Sequence, residues 1–473
     1  MAQTARAKVS EVSASEISTS KVFKNLVDIR VSPNSYFVIF FLASFLTGFL
    51  IYLRNDVAAF LLFAISWTII PVLAWKDRIV FDGKYIFRTG IIPILWARFS
   101  GKPRRLRVSQ IEQVETQALR ALKRGGNVFY RYRTSVNGKG VRFSFASGGE
   151  EYREMVSHLF SLLSNDILDN RSIELRDYLK DPKETRMKAE FARIPSMEVL
   201  ESSINEFQNP DRSLRSKKVN RELSQEELDK ADYLQQLANE LRMSGNLLQS
   251  LETFRRVLLL KPNDARLIFE YARCLHSYAS LERSNRLARK ANAALRLAEL
   301  RANQDADLLA RIGESYFQYG DWKRARKTFY KTLSISENNF RSVRGLAEVA
   351  LREGKIAHVI HHFATAAYFA QSNALKRWAK GENEYFTRLN NDDDYMEAEI
   401  TRINWLENIE RKKRSLLRFS LIMLIIVLFG VLFNETVAAV GWVASFISIV
   451  LWVGLVMSQG LLSERCSIVD LED

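Results

Sequence analysis

The hydrophobic pattern of the chain starts and finishes with pairs of long, almost uncharged apolar runs. The four runs are residues 36–52, 57–75, 419–433 and 437–457. The first two are near the roughly 20 residues that a helix needs to cross a bilayer, and the pattern recurs in the second pair. The breaks within the pairs are short, and a chain in hydrocarbon can reverse direction only where its backbone reaches water or headgroups. The pattern therefore predicts two transmembrane helical hairpins, at 35–75 and 416–458; the alternative is that one pair is a buried core pair of a soluble protein.

Basic residues predict the orientation of these hairpins, because Lys and Arg are retained on the cytoplasmic flanks of spanning helices. The basic flanking residues are Lys21, Lys24, Arg30, Lys76 and Arg78 around the first hairpin, and Arg411, Lys412, Lys413, Arg414 and Arg418 before the second. The break inside the second hairpin carries only Glu435 as a charge. We therefore expect both termini and everything between the hairpins to be cytoplasmic, in a multi-pass inner-membrane protein.

After the first hairpin the pattern changes to short runs that are typical of β-strands. The predicted strands are residues 79–81, 85–88, 106–108, 114–116, 128–134 and 141–145. Alternation of apolar and polar residues around Asn137-Gly138 predicts a β-hairpin, because this pair tolerates the positive φ of a type I′ turn. An amphipathic helix is expected at 150–163, with Tyr152 and Met155 among its apolar face.

This order of elements, together with residues 85–92, residues 108–114 and the closing helix, resembles the bacterial pleckstrin-homology-like domains of small membrane proteins. The resemblance implies a small α+β domain at 76–165. Its basic run lies beside a predicted membrane, where anionic lipid attracts Lys and Arg by about 1 kcal/mol each. The predicted headgroup contacts are Lys102, Arg104, Arg105, Arg107, Arg411, Lys412, Lys413 and Arg414.

Helical periodicity dominates the chain beyond Pro262, which is its last proline. Similar spacings recur in segments that start at Ala231, Ala306 and Phe340, and a variant that is lengthened after His276 lies between the first two. The second of these copies holds Leu309, Ile312, Gly313, Tyr316, Gly320, Ala325 and Phe329. Small residues at fixed offsets allow paired helices to approach closely.

These offsets resemble those of tetratricopeptide repeat (TPR) proteins over roughly 145 residues. The resemblance implies stacked helical hairpins whose first helices line a groove for a peptide or a partner's helix. The implied groove residues are Asn239, Arg242, Arg266, Arg273, Arg341, Arg344, Glu348 and Arg352. Arginine forks suit carboxylates, so an acidic segment or a free C-terminus is the expected ligand. The alternative, a solvated face that pairs with nearby Glu and Asp, stays open.

The fold class expected from these patterns is mainly α, with two transmembrane hairpins, a small PH-like α+β domain and a TPR-type solenoid. The expected layout is a disordered tail (1–34), hairpin 1 (35–75), the PH-like domain (76–165), a linker with short helices (166–229), the solenoid (230–390), a connecting helix (391–415), hairpin 2 (416–458) and a tail (459–473). The connecting helix is expected to continue into the third spanning run without interruption.

Catalytic and cofactor motifs are missing from the sequence. Neither Gly-Lys-Ser/Thr, HExxH, CxxC, GxSxG nor GxGxxG occurs. Two cysteines cannot build a disulfide framework or a four-cysteine zinc site, and Cys274 is expected to be a core thiol. His358, His361 and His362 have helical spacing that could hold a metal, but packing of a second repeat helix is the stronger interpretation. We expect no enzyme activity, no cofactor and no metal.

A net charge of +15 favours anionic partners, either nucleic acid or anionic lipid. Nucleic acid is not expected, because the basic run lacks interleaved aromatic platforms. The first hypothesis is a membrane-anchored scaffold whose repeats recruit a protein to an envelope, secretion or polysaccharide-export assembly. The alternatives are a lipid-sensing or signalling protein that acts through the PH-like domain, and a structural subunit of a large membrane complex. A homo-oligomer is left open.

Overall fold

The computed structural model describes residues 27–31, 34–99, 103–122, 128–146, 149–201, 223–433, 435–462 and 465. The chain divides into two compact units. The first contains residues 1–31 and 78–383, and the second contains residues 32–77 and 384–473. Most residues of the two predicted tails, 1–34 and 459–473, lie outside the described residues, and so does Lys102.

The first unit contains two antiparallel sheets. All six predicted strands form, four of them longer than predicted. The four-stranded sheet consists of β1 (Val27–Arg30), β2 (Arg78–Phe81), β3 (Tyr85–Arg88) and β4 (Arg105–Arg107), in that order. The three-stranded sheet consists of β5 (Gln113–Leu122), β6 (Val128–Gly138) and β7 (Val141–Ala146).

Strand β1 corrects the predicted tail 1–34. Val27 and Ile29 are buried, and β1 pairs antiparallel with β2 in the register Val27↔Phe81. Helices α1 (Asn34–Tyr52) and α2 (Asp56–Lys76) are inserted between these two paired strands. A short strand with only two apolar side chains gives little periodic signal, and the inserted helices separate it from its pairing partner along the chain.

The hairpin between β6 and β7 forms, but its turn differs from the prediction. The two-residue loop is Lys139-Gly140, with φ of 47° and 70°, and Gly138 pairs with Val141 in the ladder. The turn is displaced by two residues from Asn137-Gly138. A shift of two keeps each side chain on its predicted face, since the side-chain period of a strand is two.

Three helices that the sequence predicts, and one that it does not, complete this part of the unit. Helix α3 (Ile91–Phe99) lies between β3 and β4, where no helix was expected. Helix α4 (Glu150–Ser161) buries Tyr152, Met155, Val156 and Leu159, as its periodicity predicts. The predicted linker contains α5 (Asn170–Tyr178) and α6 (Pro182–Phe191). Asp169 and Asp181 cap them by accepting hydrogen bonds from backbone N–H groups of Ser172 and Lys183.

The repeats form four consecutive helical pairs and one further helix. The pairs are α7 (Gln225–Met243) with α8 (Leu247–Leu260), α9 (Ala265–Leu281) with α10 (Asn285–Arg301), α11 (Ala306–Gln318) with α12 (Trp322–Ile335), and α13 (Phe340–Arg352) with α14 (Ile356–Phe369). Helix α15 (Asn373–Asn391) follows. The predicted insertion is absorbed as helix, because α9 and α10 have 17 residues each where α11 and α12 have 13 and 14.

Glycines permit the close approach of helices both within a pair and between neighbouring pairs. A Cβ on Gly313 would lie 2.5 Å from Phe329 Cε1, and a Cβ on Gly345 would meet the same ring. Phe329 is fully buried. The ring thus occupies the space that two missing side chains leave, which explains why the sequence has glycine inside two helices.

The second unit contains the long apolar helices. They are α1, α2, α16 (Asp393–Phe433) and α17 (Glu435–Leu462). By length and composition, three helical segments could cross a membrane, namely Asp56–Lys76, Asp393–Val431 and Glu435–Gln459; the apolar helix Ile39–Tyr52 is shorter. The predicted continuous helix forms as α16, whose 41 residues correspond to about 60 Å.

These four helices contact one another through aromatic and small side chains. The ring of Phe45 lies 4.6 Å from that of Trp442 between centroids, and Gly48 leaves the space that Trp442 fills. The Ser420 and Ser445 hydroxyls are 3.1 Å apart between α16 and α17. The Tyr52 hydroxyl donates to the backbone oxygen of Glu435 at 3.4 Å, so the breaks of both pairs lie at the same end of this unit.

Candidate functional site: the inner face of the helical repeats

The face formed by the first helices of the pairs carries most of the predicted groove residues, and helix α5 of the same chain covers it. Leu168, Ile173 and Leu175 are buried in one core with sheet residues and with Phe340 and Val343 of α13. Leu168 also forms a parallel bridge to Val114 in β5. The segment that was predicted to be a linker is therefore a structural part of this face.

Glu174 of α5 is the central acid of the covered face. Arg242 donates from Nη1 to Glu174 Oε2 at 3.0 Å, and Arg273 forms an ion pair with Glu174 Oε1. All three side chains are buried: Arg242 and Arg273 are each 8% exposed, and Glu174 is 4% exposed. One carboxylate of the chain itself thus receives two of the predicted partner-binding arginines.

A second acid, Glu270 of α9, connects the first two pairs with α5. Asn239 donates from Nδ2 to Glu270 Oε2 at 2.8 Å, and Gln235 donates to the same oxygen at 2.9 Å. The Tyr178 hydroxyl of α5 donates to Glu270 Oε1 at 3.2 Å. Asn239 also accepts from Arg242 Nη2 at 3.1 Å, which holds the amide and the guanidinium in one network.

Arg341 anchors the other end of the face to the segment before α5. Its guanidinium donates to Asn165 O at 2.6 Å, Leu168 O at 3.0 Å, Asn170 Oδ1 at 3.3 Å and Glu314 Oε2 at 2.7 Å. Two of these acceptors are backbone carbonyls at the approach to α5, outside any regular helix. Arg341 thus supplies hydrogen bonds to carbonyls that burial removes from water.

The remaining predicted groove residues divide into two sets. Arg344 donates to Glu314 Oε1 at 3.1 Å and pairs with Glu348 at 3.4 Å, so both belong to the Arg341 network. Arg266 and Arg352 are exposed. The structure therefore brings six of the eight residues to the inner face, mostly in pairs with acids of the same chain, as the solvated-face alternative partly anticipated. Their binding of a partner stays a prediction.

A small cavity of about 60 Å³ remains between α5, strand β6 and the first three pairs. Its charged lining residues are Arg171, Glu174, Arg242 and Arg273, and its other lining residues include Tyr130, Tyr132, His276, Ser277 and Tyr319. The His276 and Tyr319 rings stack with centroids 3.6 Å apart. Burial is the main reason why the pKa of Arg273 is lowered to about 10; the nearby Arg311 and Arg171 contribute in the same direction, while Tyr319 opposes them.

The start of strand β6 is bound directly to the first helical pair. Val128 N donates to Gly245 O at 2.9 Å, and the Tyr132 hydroxyl donates to Met243 O at 2.6 Å. Gly245 has φ of +90°, and a Cβ there would collide with Val128 O. This turn needs glycine for both reasons, and it fixes the sheet against the repeats.

The predicted headgroup residues lie in both units. Arg104, Arg105 and Arg107 are exposed, and the Arg105 and Arg107 guanidinium groups lie 5.1 Å and 5.3 Å from the ring centroids of Phe87 and Tyr85. In α16, Arg411 and Arg414 pair with Glu407 and Glu410 one turn earlier, Lys412 is exposed, and Lys413 donates to Gln459. Exposure permits lipid contact, which stays a prediction.

The other candidate chemistry gives no site. Within the described residues, no group of three or more His, Cys, Asp and Glu could hold a metal. His361 and His362 have ring centroids 5.5 Å apart on α14. Cys274 is fully buried with Sγ 3.3 Å from Ser250 Oγ, and burial raises its pKa to about 11. This thiol is a core residue, as expected.

Sequence reasoning missed Glu174, Glu270, Glu314 and Arg171. A weak signal existed for α5, because Asp169 stands where an N-cap is expected before residues 170–178. No local pattern shows that a glutamate in this helix meets arginines of α7 and α9, which come much later in the chain. These pairings are tertiary and arise only from the fold.

Comparisons with known proteins give partial structural similarity. No family model matches the chain. No curated protein matches it. A thermophilic TPR protein of Thermus thermophilus is 16% identical, with 42% of this chain and 97% of that chain covered and a TM-score of 0.28. The pilF protein of Pseudomonas aeruginosa is 18% identical, with coverages of 46% and 90% and a TM-score of 0.30. MamA of Desulfovibrio magneticus RS-1 is 18% identical, with coverages of 40% and 96% and a TM-score of 0.26. The low TM-scores leave function to be argued from the chain itself.

Proposed function

We propose that this chain is a non-enzymatic membrane scaffold whose two helical hairpins span a bilayer and whose helical repeats recruit an acidic protein partner. The observation that carries the membrane part is the exposed apolar surface of α1, α2, α16 and α17. Val57, Phe60, Leu428 and Val440 are 74%, 70%, 69% and 69% exposed, with many similar neighbours. Surfaces of this kind are stable in hydrocarbon and are an aggregation hazard in water.

The distribution of charge supports a cytoplasmic location for the first unit. Lys76 ends α2, and Arg411, Lys412, Arg414 and Arg418 directly precede the apolar part of α16. These charges therefore lie at the ends of the apolar segments opposite the two breaks. The positive-inside rule then places these ends on the cytoplasmic side. Strand β2 follows α2 after a single residue, Asp77, so the sheets would be cytoplasmic as well.

The outer helices α10 and α12 are the surface that we propose for the partner, because α5 covers most of the inner face. Arg296, Lys323 and Lys327 are exposed and have no acidic partner among the described residues. Exposed apolar side chains lie on the same two helices: Leu297 (41%), Leu300 (71%) and Tyr330 (51%). Lys331 of α12 donates to Glu299 O of α10 at 3.3 Å, so the two surfaces are adjacent.

Cations beside apolar side chains on two neighbouring helices suit an acidic amphipathic helix, which would bury its apolar face between them. A photo-crosslinking residue in place of Leu300 in living cells tests this proposal. We expect a crosslink to one protein partner, and its loss on combining Lys323→Glu with Lys327→Glu. Lys180→Glu, a charge reversal on another exposed segment, should leave it intact. A crosslink that survives the double reversal, or crosslinks to lipid alone, would contradict it.

Cysteine accessibility tests the proposed orientation. Two cysteines occur in the sequence, so Cys466→Ser leaves Cys274, which is buried, as the background. In intact cells an impermeant maleimide should label Asn55→Cys, in the break of the first pair, and should fail to label Lys323→Cys. Labelling of Lys323→Cys alone would reverse the assigned sidedness.

A second candidate function, lipid sensing through the PH-like sheets, rests on the exposed Arg104, Arg105 and Arg107. Full-length protein in nanodiscs of neutral or anionic lipid would separate the two functions. Protection of this segment from trypsin by anionic lipid would favour sensing, and equal cleavage in both lipids would exclude it. An envelope, secretion or polysaccharide-export assembly remains the proposed setting of the scaffold.

A further inference from the structure

The cavity beside Glu174 has more positive than negative charge. Three arginines line it, one each from α5, α7 and α9, whereas Glu174 is the one carboxylate among its lining residues. That carboxylate is already shared by Arg242 and Arg273. The lining therefore has an excess of two positive charges.

Several donors in this lining have no acceptor. Both side chains are more than nine-tenths buried. Within them, Arg242 Nε and Arg273 Nε have no hydrogen-bond partner among the described residues. Arg171 forms no ion pair or hydrogen bond within the described part of the chain. The nearest acid in sequence, Asp169, already accepts from Ser172 N at 2.9 Å and Thr116 N at 3.3 Å.

Buried guanidinium groups with unmet donors are costly, because both the charge and each N–H lose water. The lowered pKa of Arg273 results first from burial and secondly from the neighbouring positive charges. A bound anion would supply both countercharge and acceptors. Arginine forks converging from three helices suit an oxyanion with several acceptor oxygens.

We propose that this cavity binds a single phosphate group, as inorganic phosphate or as the phosphate of a small monoester. Glu174 already supplies one carboxylate to the three arginines. A phosphate dianion would neutralise the remaining excess of two positive charges. At about 60 Å³ the cavity is far below the roughly 300 Å³ at which pockets for larger organic ligands begin. The site is separate from the outer face that we propose for the partner protein, so either proposal can fail without the other.

Because of where the cavity lies, bound phosphate is expected to stabilise the first unit. The cavity is bounded by α5, β6 and the first three helical pairs, so a bound anion would hold together the sheets, the covering helix and the repeats. We expect phosphate to raise the thermal stability of the first unit, because a ligand that binds only the folded state stabilises it.

The direct test is calorimetric titration of inorganic phosphate into the full chain in detergent, with potassium chloride of equal ionic strength as the reference. We expect saturable binding that weakens at least about tenfold in Arg171→Gln, since a charged hydrogen bond is lost. Arg266→Gln, an exposed arginine of α9, should bind as the unchanged chain does. Absence of saturable binding, or equal binding by Arg171→Gln, would overturn the proposal.

Ser277→Glu provides a second variant, since it places a carboxylate in the cavity lining. It should raise the unfolding midpoint without phosphate and abolish the response to phosphate, whereas the uncharged Ser277→Gln should not raise the midpoint. If Ser277→Glu is less stable than Ser277→Gln, the excess positive charge is wrong. Glycerol phosphate, titrated in parallel, identifies the source: binding as tight as that of phosphate indicates a monoester, and phosphate binding alone indicates the free ion.

Discussion

Arg242 Nη1 lies 3.0 Å from Glu174 Oε2, and this contact joins a repeat helix to the helix that covers the inner face of the repeats. Arg273 binds the other oxygen of the same carboxylate. The Glu174 carboxylate therefore occupies the place between the repeat arginines that an acidic partner was predicted to take. A partner that entered the predicted groove would have to replace Glu174 and expose Leu168, Ile173 and Leu175, which are buried in the shared core.

Glu174→Gln should destabilise the first unit by about 3–5 kcal/mol, because it leaves two buried arginines without their countercharge. Urea unfolding of the full chain in detergent, followed by tryptophan fluorescence, measures the change. Glu337→Gln, at an exposed position, should change the free energy of unfolding by less than about 0.5 kcal/mol. Equal effects of the two variants would show that Glu174 is not a buried anchor.

Arg341→Ala should likewise cost about 3–5 kcal/mol, because two backbone carbonyls and Glu314 lose a buried donor. Arg352→Ala, an exposed arginine of the same helix, is the matched control and should be nearly neutral. The measurement is the same urea unfolding. A consequence is that loss of partner binding in Arg341 variants does not by itself identify a partner site.

Gly345→Ala should destabilise the solenoid by about 1–3 kcal/mol, since its new methyl group would collide with the buried ring of Phe329. Gly381→Ala in α15 is the control of opposite sign. Apart from the backbone of its own helix, no atom of the described residues lies within 4 Å of a Cβ at that position, so the alanine should stabilise the helix by up to about 1 kcal/mol. Thermal unfolding compares the two, and a stabilised Gly345→Ala would contradict the packing.

His362 should make stability depend on acidity. Burial lowers its pKa to about 4, and the neighbouring His361 and His358 act in the same direction. Below pH 6.5 the His362 side chain of the unfolded chain takes up a proton, whereas that of the folded chain stays neutral until about pH 4. The free energy of unfolding therefore falls as the pH drops from 6.5 to 4. His362→Gln should reduce the loss of stability between pH 7 and pH 5, and His158→Gln on α4 should not. Parallel pH curves for all three proteins would refute the assignment.

The features that could be predicted from the sequence are those with a local pattern. Alternation in residues 128–145 indicates two strands, and spacing from Ala306 to Phe329 indicates a helical pair, and both form. The turn at Lys139-Gly140 was missed because two adjacent Gly-containing pairs offer similar turns, and the fold selects one register. Strand β1 was missed because the inserted helices separate it from β2.

The candidate site could be predicted only in part, for a related reason. The resemblance to TPR proteins places Asn239, Arg242, Arg273 and Arg341 on one face, and all four lie there in the structure. Their partners Glu174 and Asn170 come from a segment whose polar composition resembles a linker, because its charges are neutralised by residues distant in sequence. Burial of a polar segment by distant partners has no periodic signature.

The proposed scaffold depends on the four apolar helices being embedded in lipid. The most direct measurement is sedimentation of lysed cells, followed by an alkaline carbonate wash and flotation of the pellet through a density gradient. Our account predicts that the full chain floats with the lipid after the wash and enters solution only with detergent. Recovery of the folded chain in the carbonate supernatant would contradict the membrane scaffold.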